Sequence, residues 1–131
     1  MSATRTNPYH LVIEIAGLPS MNSSGFRNHW ARRGEKHRWY EEVRIAVRGR
    51  CPARPLTLAQ VEITRHSGSR RPDYDNLVQG GKFLLDGLVR SGVLSGDNPG
   101  VIGVPIYLWA PAKPRCGHVK IKVLAATGEC P

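Results

Sequence analysis

Four short runs rich in apolar and β-branched residues alternate with two longer stretches in which the apolar side chains have helical spacing. Glycine, proline or polar turn residues punctuate the short runs, which predicts that they are strands. The predicted strands span residues 10–16, 56–65, 101–109 and 118–125. The predicted helices span residues 28–48 and 75–90. The order β-α-β-α-β-β predicts one α/β (α+β) domain over residues 1–131, with a mixed β-sheet and two helices.

The first helical stretch has apolar residues at Trp39, Val43, Ala46 and Val47, with many charged residues between them. This pattern predicts a basic amphipathic helix. Gly92 follows the second stretch and is expected to end the second helix, since glycine readily adopts the left-handed conformation there. A turn at residues 111–117 is expected between the last two strands.

The chain is strongly basic. Nineteen lysines and arginines against ten acidic residues give a net charge of +9 and an isoelectric point near 10.1. Such a charge concentrates polyanions near the surface, so nucleic acid is the leading class of partner. The simpler alternative is that the charge only keeps a small protein soluble.

No membrane or extracellular feature is apparent. No apolar run approaches the ~18 to 20 residues that span a bilayer, and the N-terminus has no apolar signal core, so we expect a cytoplasmic protein with no membrane partner. Cys51, Cys116 and Cys130 are odd in number and lack C-x-x-C spacing. They therefore suggest neither a disulfide framework nor a zinc site.

The aspartates are unusually clustered, because all four lie between residues 73 and 97: Asp73, Asp75, Asp86 and Asp97. Mg²⁺ takes oxygen ligands, often a few carboxylates together with water and substrate phosphate oxygens. The cluster therefore indicates a divalent metal site. An alternative for Asp73 or Asp75 is that its carboxylate caps the second helix by accepting backbone hydrogen bonds.

Four polar residues of the second helix share one face at ~100° per residue, and three leucines form the opposite stripe. The polar residues are Asp75, Gln79, Lys82 and Asp86, and the leucines are Leu77, Leu84 and Leu88. Burial of the leucines would hold the polar face in a fixed orientation. The simpler alternative is a solvated face in which Lys82 and Asp86 form an ordinary i,i+4 pair.

Common catalytic and metal motifs are missing from the sequence. There is no G-x-x-x-x-G-K-[ST], H-E-x-x-H or G-x-S-x-G element, which argues against a P-loop, a zinc protease and a serine hydrolase. A calcium loop starting at Asp73 would need an oxygen ligand, glycine and glutamate where Leu77, Val78 and Leu84 stand.

Three blocks resemble the signature of RusA-type Holliday junction resolvases, the crossover junction endodeoxyribonucleases. They are RPDYDNL at residues 71–77, KFLLDGL at 82–88 and GVLSGD at 92–97. The similarity is strong only from Asp73 to Asp97. It extends faintly to Gly17-Leu18-Pro19 and to the Asn/Arg-rich segment that follows.

The resemblance implies that Asp73, Asp75 and Asp97 bind a divalent metal, with Mg²⁺ expected and Mn²⁺ as an alternative. It also implies that Lys82 is the essential basic residue beside them. Asp86 matches a recurring family position, where it would pair with Lys82. The implied function is resolution of four-way DNA junctions by paired nicks. A homodimer matches the approximate two-fold symmetry of that substrate.

Basic residues on the first helix, on its flanks and just before the aspartates are expected to bind backbone phosphates. They are Arg27, Arg32, Arg33, Lys36, Arg38, Arg44, Arg70 and Arg71. Three aromatic residues could stack on unpaired bases, although core packing is an alternative for them. These are Phe26, His29 and Trp30.

Two other functions remain open from the sequence. A catalytically silent protein that binds branched DNA would keep the basic surface and use its aspartates for caps and ion pairs. The extra residues Gly80 and Gly81 before Lys82 favour this alternative slightly. The third is a small module that binds another protein.

Overall fold

The structure is a computed structural model that describes residues 9–19, 29–68 and 70–126, without the side chains of residues 29–32. Within these residues it contains a four-stranded mixed sheet and three helices, so the predicted α+β class is confirmed. The elements in chain order are β1 His10–Ala16, α1 His29–Ala46, β2 Ala59–Ser67, α2 Tyr74–Arg90, α3 Pro99–Ile102, β3 Ile106–Pro111 and β4 His118–Ala125. None of the described helices is long and apolar enough to cross a membrane.

The strand order in the sheet is β1-β4-β2-β3. β4 pairs antiparallel with both β1 and β2, whereas β2 and β3 are parallel. A parallel pair needs a long crossover, which α2 and α3 provide here. The carboxyl ends of β2 and β3 therefore lie at the same edge of the sheet, from which the chain leads into α2.

One face of the sheet forms the core. In β1, Leu11, Ile13 and Ile15 are buried, whereas His10 and Glu14 are exposed on the other face. The same alternation continues in β2 and β4, and the apolar sides of α1 and α2 join the same hydrophobic cluster. Full burial of each large apolar side chain contributes about 1.5–3 kcal/mol. The two helices are thus fixed against one face of the sheet.

Both predicted helices form. In α1, Trp39, Val43 and Val47 are fully buried and Ala46 is partly buried, as the spacing predicts. Gly92 has a φ of 87°, and the amides that follow it donate to the carbonyl of Leu88 at 3.0 and 3.3 Å. The prediction that Gly92 ends α2 is therefore confirmed.

The predicted start of the second strand, at residue 56, is wrong. β2 begins at Ala59 and continues to Ser67. The backbone of Leu56 instead exchanges hydrogen bonds of 2.9 Å with Val93 and Ser95, in the loop after α2. The side chain of Leu56 is buried, but its backbone forms a single bridge to Leu94 of that loop and does not belong to the sheet.

The predicted start of the third strand, at residue 101, is also wrong. β3 begins at Ile106, and Pro99–Ile102 forms a helical turn instead. The side chain of Asn98 accepts a hydrogen bond from the amide of Gly100 at 2.9 Å, and Pro99 occupies the first helical position. An asparagine cap followed by proline favours a helix start, and here it overrides the β-branched composition of the segment.

Helix α2 contacts its neighbours closely at two glycines. A Cβ added at Gly81 would lie 2.5 Å from Cε1 of Tyr107, and one added at Gly87 would lie 3.0 Å from Cβ of Val43. The helix is continuous through Gly80 and Gly81, and both are buried. Gly81 therefore allows α2 to pack close to β3, and Gly87 allows it to pack close to α1. This packing offsets the low helix propensity of glycine.

We expect Gly81→Ala to lower the free energy of unfolding by about 1–2 kcal/mol, because the half-buried ring of Tyr107 must shift. Urea denaturation measures the change. The matched control is Gly34→Ala in α1, where an added Cβ has nothing within 4 Å. That substitution should raise stability by about 0.5–1 kcal/mol. Equal stabilisation by both would contradict the close packing of α2.

Candidate metal and nucleic-acid site

One face of α2 is polar along its whole length. Asp75, Gln79 and Lys82 are exposed and Asp86 is half-buried. The three leucines on the opposite side of the helix are buried in the core. The predicted arrangement is confirmed: the buried stripe orients the polar face outward.

Asp73 and Asp75 lie at the N-terminal end of α2. The carbonyl of Asp73 accepts hydrogen bonds from the amides of Asn76 and Leu77, at 3.0 and 3.1 Å. Its exposed carboxylate makes no capping hydrogen bond, so Asp73 is not a side-chain cap. Asp75 is exposed in the first turn, where a negative charge interacts favourably with the helix dipole.

Asp97 belongs to the loop between α2 and α3, which returns along the polar face of α2. Its carboxyl group lies close enough to that of Asp86 to raise the pKa of Asp86. Burial raises the pKa of Asp86 most, and the neighbouring carboxyl group of Asp97 raises it further. The charges of Lys36 and Lys82 act in the opposite direction on this pKa. The structure thus joins two carboxyl groups between lysines of two helices.

Lys82 is exposed on α2, one turn before Asp86. Among the residues that the structure describes, it forms no ion pair within 4 Å. Its charge nevertheless lowers the pKa of Asp86. Lys82 therefore acts on Asp86 at longer range and does not form the direct i,i+4 pair considered from the sequence. Its ammonium group is left available to a ligand.

Tyr107 lies near Asp97, and Tyr74 packs against Tyr107; the sequence did not single out either tyrosine. Burial raises the pKa of Tyr107, and the nearby Tyr74 and Asp97 raise it further. The rings of Tyr74 and Tyr107 meet edge to face, with centroids 6.1 Å apart. The position of Tyr74 between Asp73 and Asp75 could have indicated from the sequence that it lies near the site. No feature of the sequence indicates this for Tyr107, which belongs to a distant strand.

The four aspartates are not equally close to one another. Asp75 and Asp86 are eleven residues apart on α2, which corresponds to about 16 Å along the helix axis. In the described part of the chain, no group of three His, Cys, Asp or Glu side chains could hold a metal ion. The expectation that Asp73, Asp75 and Asp97 bind one ion stays a prediction.

The Asp86–Asp97 pair fits the donor set that Mg²⁺ uses. This ion is commonly bound through one or two carboxylates, with water and substrate phosphates completing the shell. Two neighbouring carboxyl groups repel each other once both are ionised. A divalent cation would relieve that repulsion, so the pair is the best candidate for metal binding among the described residues.

The predicted phosphate-binding residues lie on α1 and before α2. Those with described side chains are all exposed: Arg33, Lys36, Arg38, Arg44, Arg70 and Arg71. Arg44 already pairs with Glu41 at 2.7 Å. Lys36 influences the pKa of Asp86, so this basic surface borders the carboxyl pair. Arg27 and Phe26, and the side chains of His29, Trp30 and Arg32, lie outside the part that the structure describes.

Comparison with known proteins finds no matching family model and no curated protein with significant similarity to this chain. The resemblance to RusA-type resolvases therefore remains a prediction that depends on residues 71–97.

We expect Asp86→Asn to stabilise the fold when no divalent cation is present. Because the folded protein raises the pKa of Asp86, it holds this proton more tightly than the unfolded chain does. The free energy of unfolding should then fall as pH rises from about 4 through the raised pKa. Asparagine removes that loss, giving a gain of about 1 kcal/mol or less at pH 7, since solvent screens a half-buried group.

Urea denaturation in EDTA between pH 4 and 8 measures this effect. The matched control is Asp75→Asn, which removes an exposed carboxylate from the first turn of the same helix. It should lower stability by about 0.3–1 kcal/mol, because a favourable charge–dipole interaction is lost. If Asp86→Asn does not gain stability relative to the unmodified protein as pH rises through this range, the raised pKa of Asp86 is contradicted.

Proposed function

We propose that this protein is a Mg²⁺-dependent, structure-selective endodeoxyribonuclease that resolves four-way DNA junctions by paired nicks. The observation that carries the proposal is the contact between the carboxyl groups of Asp86 and Asp97, within the electrostatic reach of Lys36 and Lys82. In a chain with a net charge of +9, cationic side chains outnumber acidic ones nearly two to one and are the more abundant partners for a carboxylate. An acid–acid contact is therefore better explained by a ligand than by stability.

Asp86 and Asp97 would hold the metal ion. A bound Mg²⁺ would supply positive charge to the scissile phosphate and would acidify the attacking water. The exposed ammonium group of Lys82 would neutralise charge that develops on the phosphate in the transition state. The family resemblance assigns metal binding to Asp73, Asp75 and Asp97, and of these Asp73 and Asp75 lie at the other end of the polar face.

The exposed basic residues on α1 and before Asp73 would hold the DNA backbone. Lys36 supports this role most directly, because its charge acts on the carboxyl pair from the neighbouring helix. Phosphate contacts position the DNA without reading its sequence, which suits an enzyme that selects a branched structure. Two opposed nicks in a nearly two-fold symmetric junction further suggest an isologous homodimer.

A second candidate is a catalytically silent protein that binds branched DNA. The observation that favours it is the separation of about 16 Å along α2 between Asp75 and Asp86. A metal site needs its ligands within one coordination shell, and these two carboxylates are too far apart for that. This alternative predicts junction binding without cleavage.

Cleavage of a labelled synthetic four-way junction tests the proposal, with linear duplex as the control substrate. We expect paired nicks in Mg²⁺ and none in EDTA. Asp97→Asn should lose at least about 100-fold in rate, because Asp97 belongs both to the observed carboxyl pair and to the family pattern. Lys82→Ala should lose a similar factor. Circular dichroism and urea denaturation would verify that each variant is folded.

Three further variants sharpen this experiment. Glu14→Gln removes an exposed carboxylate from the opposite face of the sheet and should cleave normally. Asp75→Asn tests the pair Asp73 and Asp75, and Asp86→Asn tests the pair Asp86 and Asp97. Only the substitution in the pair that binds the metal should abolish cleavage. Tight junction binding without cutting by the unmodified protein would support the silent alternative, and cleavage by Asp97→Asn at the normal rate would exclude the proposed site.

A further inference from the structure

Arg65 lies on the face of β2 whose other side chains are buried in the core. The side chains of Val61, Ile63 and Ser67 on the same face of the strand are buried. Arg65 continues this row near the carboxyl end of β2 and is half-buried. Its Nη1 donates a hydrogen bond of 2.8 Å to the carbonyl oxygen of Pro19. A charged side chain thus stands where the sheet faces α2.

The protein leaves the charge of Arg65 uncompensated in its described part. No carboxylate there forms an ion pair with Arg65, and its Nε is buried without a hydrogen-bond partner. Nine of the ten acidic residues belong to the described part, and Glu129 is the exception. Burial also lowers the pKa of the guanidinium group. A partly buried cation without an anion is costly, and an anionic ligand would remove that cost.

Arg65 lines a small pocket of about 10 Å³, which is room for roughly one water molecule. Pro19, Gly80, Gly81 and Leu77 are among its other walls. The two glycines bring no side chain into this space. The apolar walls strengthen electrostatic attraction to an anion. The pocket lies between α2 and the parallel strands β2 and β3, beside Ile63 of β2 and Tyr107 of β3.

We propose that the Arg65 guanidinium group binds a backbone phosphate of the DNA substrate at the mouth of this pocket. The inference rests on the proposed nuclease function and adds a positioning residue that the resemblance does not include. The hydrogen bond to Pro19 holds one side of the guanidinium group. The other N–H groups on the two Nη atoms can then donate to phosphate oxygens in a planar geometry that lysine cannot reproduce.

The salt dependence of junction binding tests this inference. Fluorescence anisotropy with a labelled four-way junction, in EDTA to prevent cleavage, gives the affinity between 50 and 300 mM salt. We expect Arg65→Gln to weaken binding roughly tenfold at low salt. The slope of log K against log[salt] should decrease by about one unit, as for the loss of one phosphate contact.

Arg50→Gln is the matched control. Arg50 also donates a hydrogen bond to a backbone carbonyl, that of Val12 at 3.2 Å, but it is exposed. This variant removes the same charge and the same kind of hydrogen bond, and we expect its salt slope to equal that of the unmodified protein. A slope for Arg65→Gln that is also unchanged, with lower stability in urea, would make Arg65 purely structural and overturn the inference.

A measurement on the unmodified protein covers the case in which Arg65→Gln does not fold. Phenylglyoxal modifies accessible arginines, and mass spectrometry can follow Arg65 and Arg50 separately. Junction DNA should prevent modification of Arg65 and leave that of Arg50 unchanged. Protection by inorganic phosphate but not by DNA would overturn the inference. Absence of salt-dependent DNA binding would overturn the proposed function as well, whereas cleavage without protection of Arg65 would overturn this inference alone.

Discussion

The close packing of α2 determines the geometry of the rest of the molecule. Gly81 allows the helix to approach Tyr107 of β3, and Gly87 allows it to approach Val43 of α1. Two glycines within a helix lower its intrinsic stability by roughly 1 kcal/mol each, so the packing must compensate for them. Once the leucine stripe is buried between the sheet and α1, the helix cannot rotate without exposing apolar surface. The direction of its polar face is then fixed, and the candidate site depends on that direction.

Two acidic groups on the polar face of α2 are placed where their mutual repulsion lowers stability. A protein with a net charge of +9 can place almost any carboxylate beside a cation, yet Asp86 and Asp97 contact each other. Natural sequences break a local rule of this kind mainly where a site requires it. Burial raises the pKa of Asp86 most, and the contact with Asp97 raises it further, so only part of the raised pKa reflects the cost of the contact. Lys36 and Lys82 reduce that cost without forming a direct pair, so the carboxyl groups stay available to another cation.

The sequence pattern predicts the bounds of a strand well where alternate side chains are buried against the core. β1 and β4 have the predicted bounds, because alternate burial on a sheet leaves a clear two-residue period. The starts of β2 and β3 are wrong, because apolar composition does not distinguish a strand from the bridge at Leu56 or the capped turn after Asn98. Similarly, helical geometry predicts the polar face of α2. The contact of Asp97 with Asp86 was not predictable, since it requires a loop to return across the helix.

Two features beside α2 carry opposite charges, the pair Asp86 and Asp97 and the guanidinium group of Arg65, and both are consistent with one kind of ligand. A cation would relieve the repulsion within the carboxyl pair, and an anion would pair with Arg65, for which the described part of the protein supplies no carboxylate. A metal ion alone would satisfy only the first, and a free anion only the second. A nucleic-acid strand with its associated divalent cation supplies both, since its phosphates carry the negative charge that the basic surface also attracts. The proposed metal-dependent nucleic-acid enzyme therefore rests on these two features, the carboxyl pair and the unpaired Nε of Arg65.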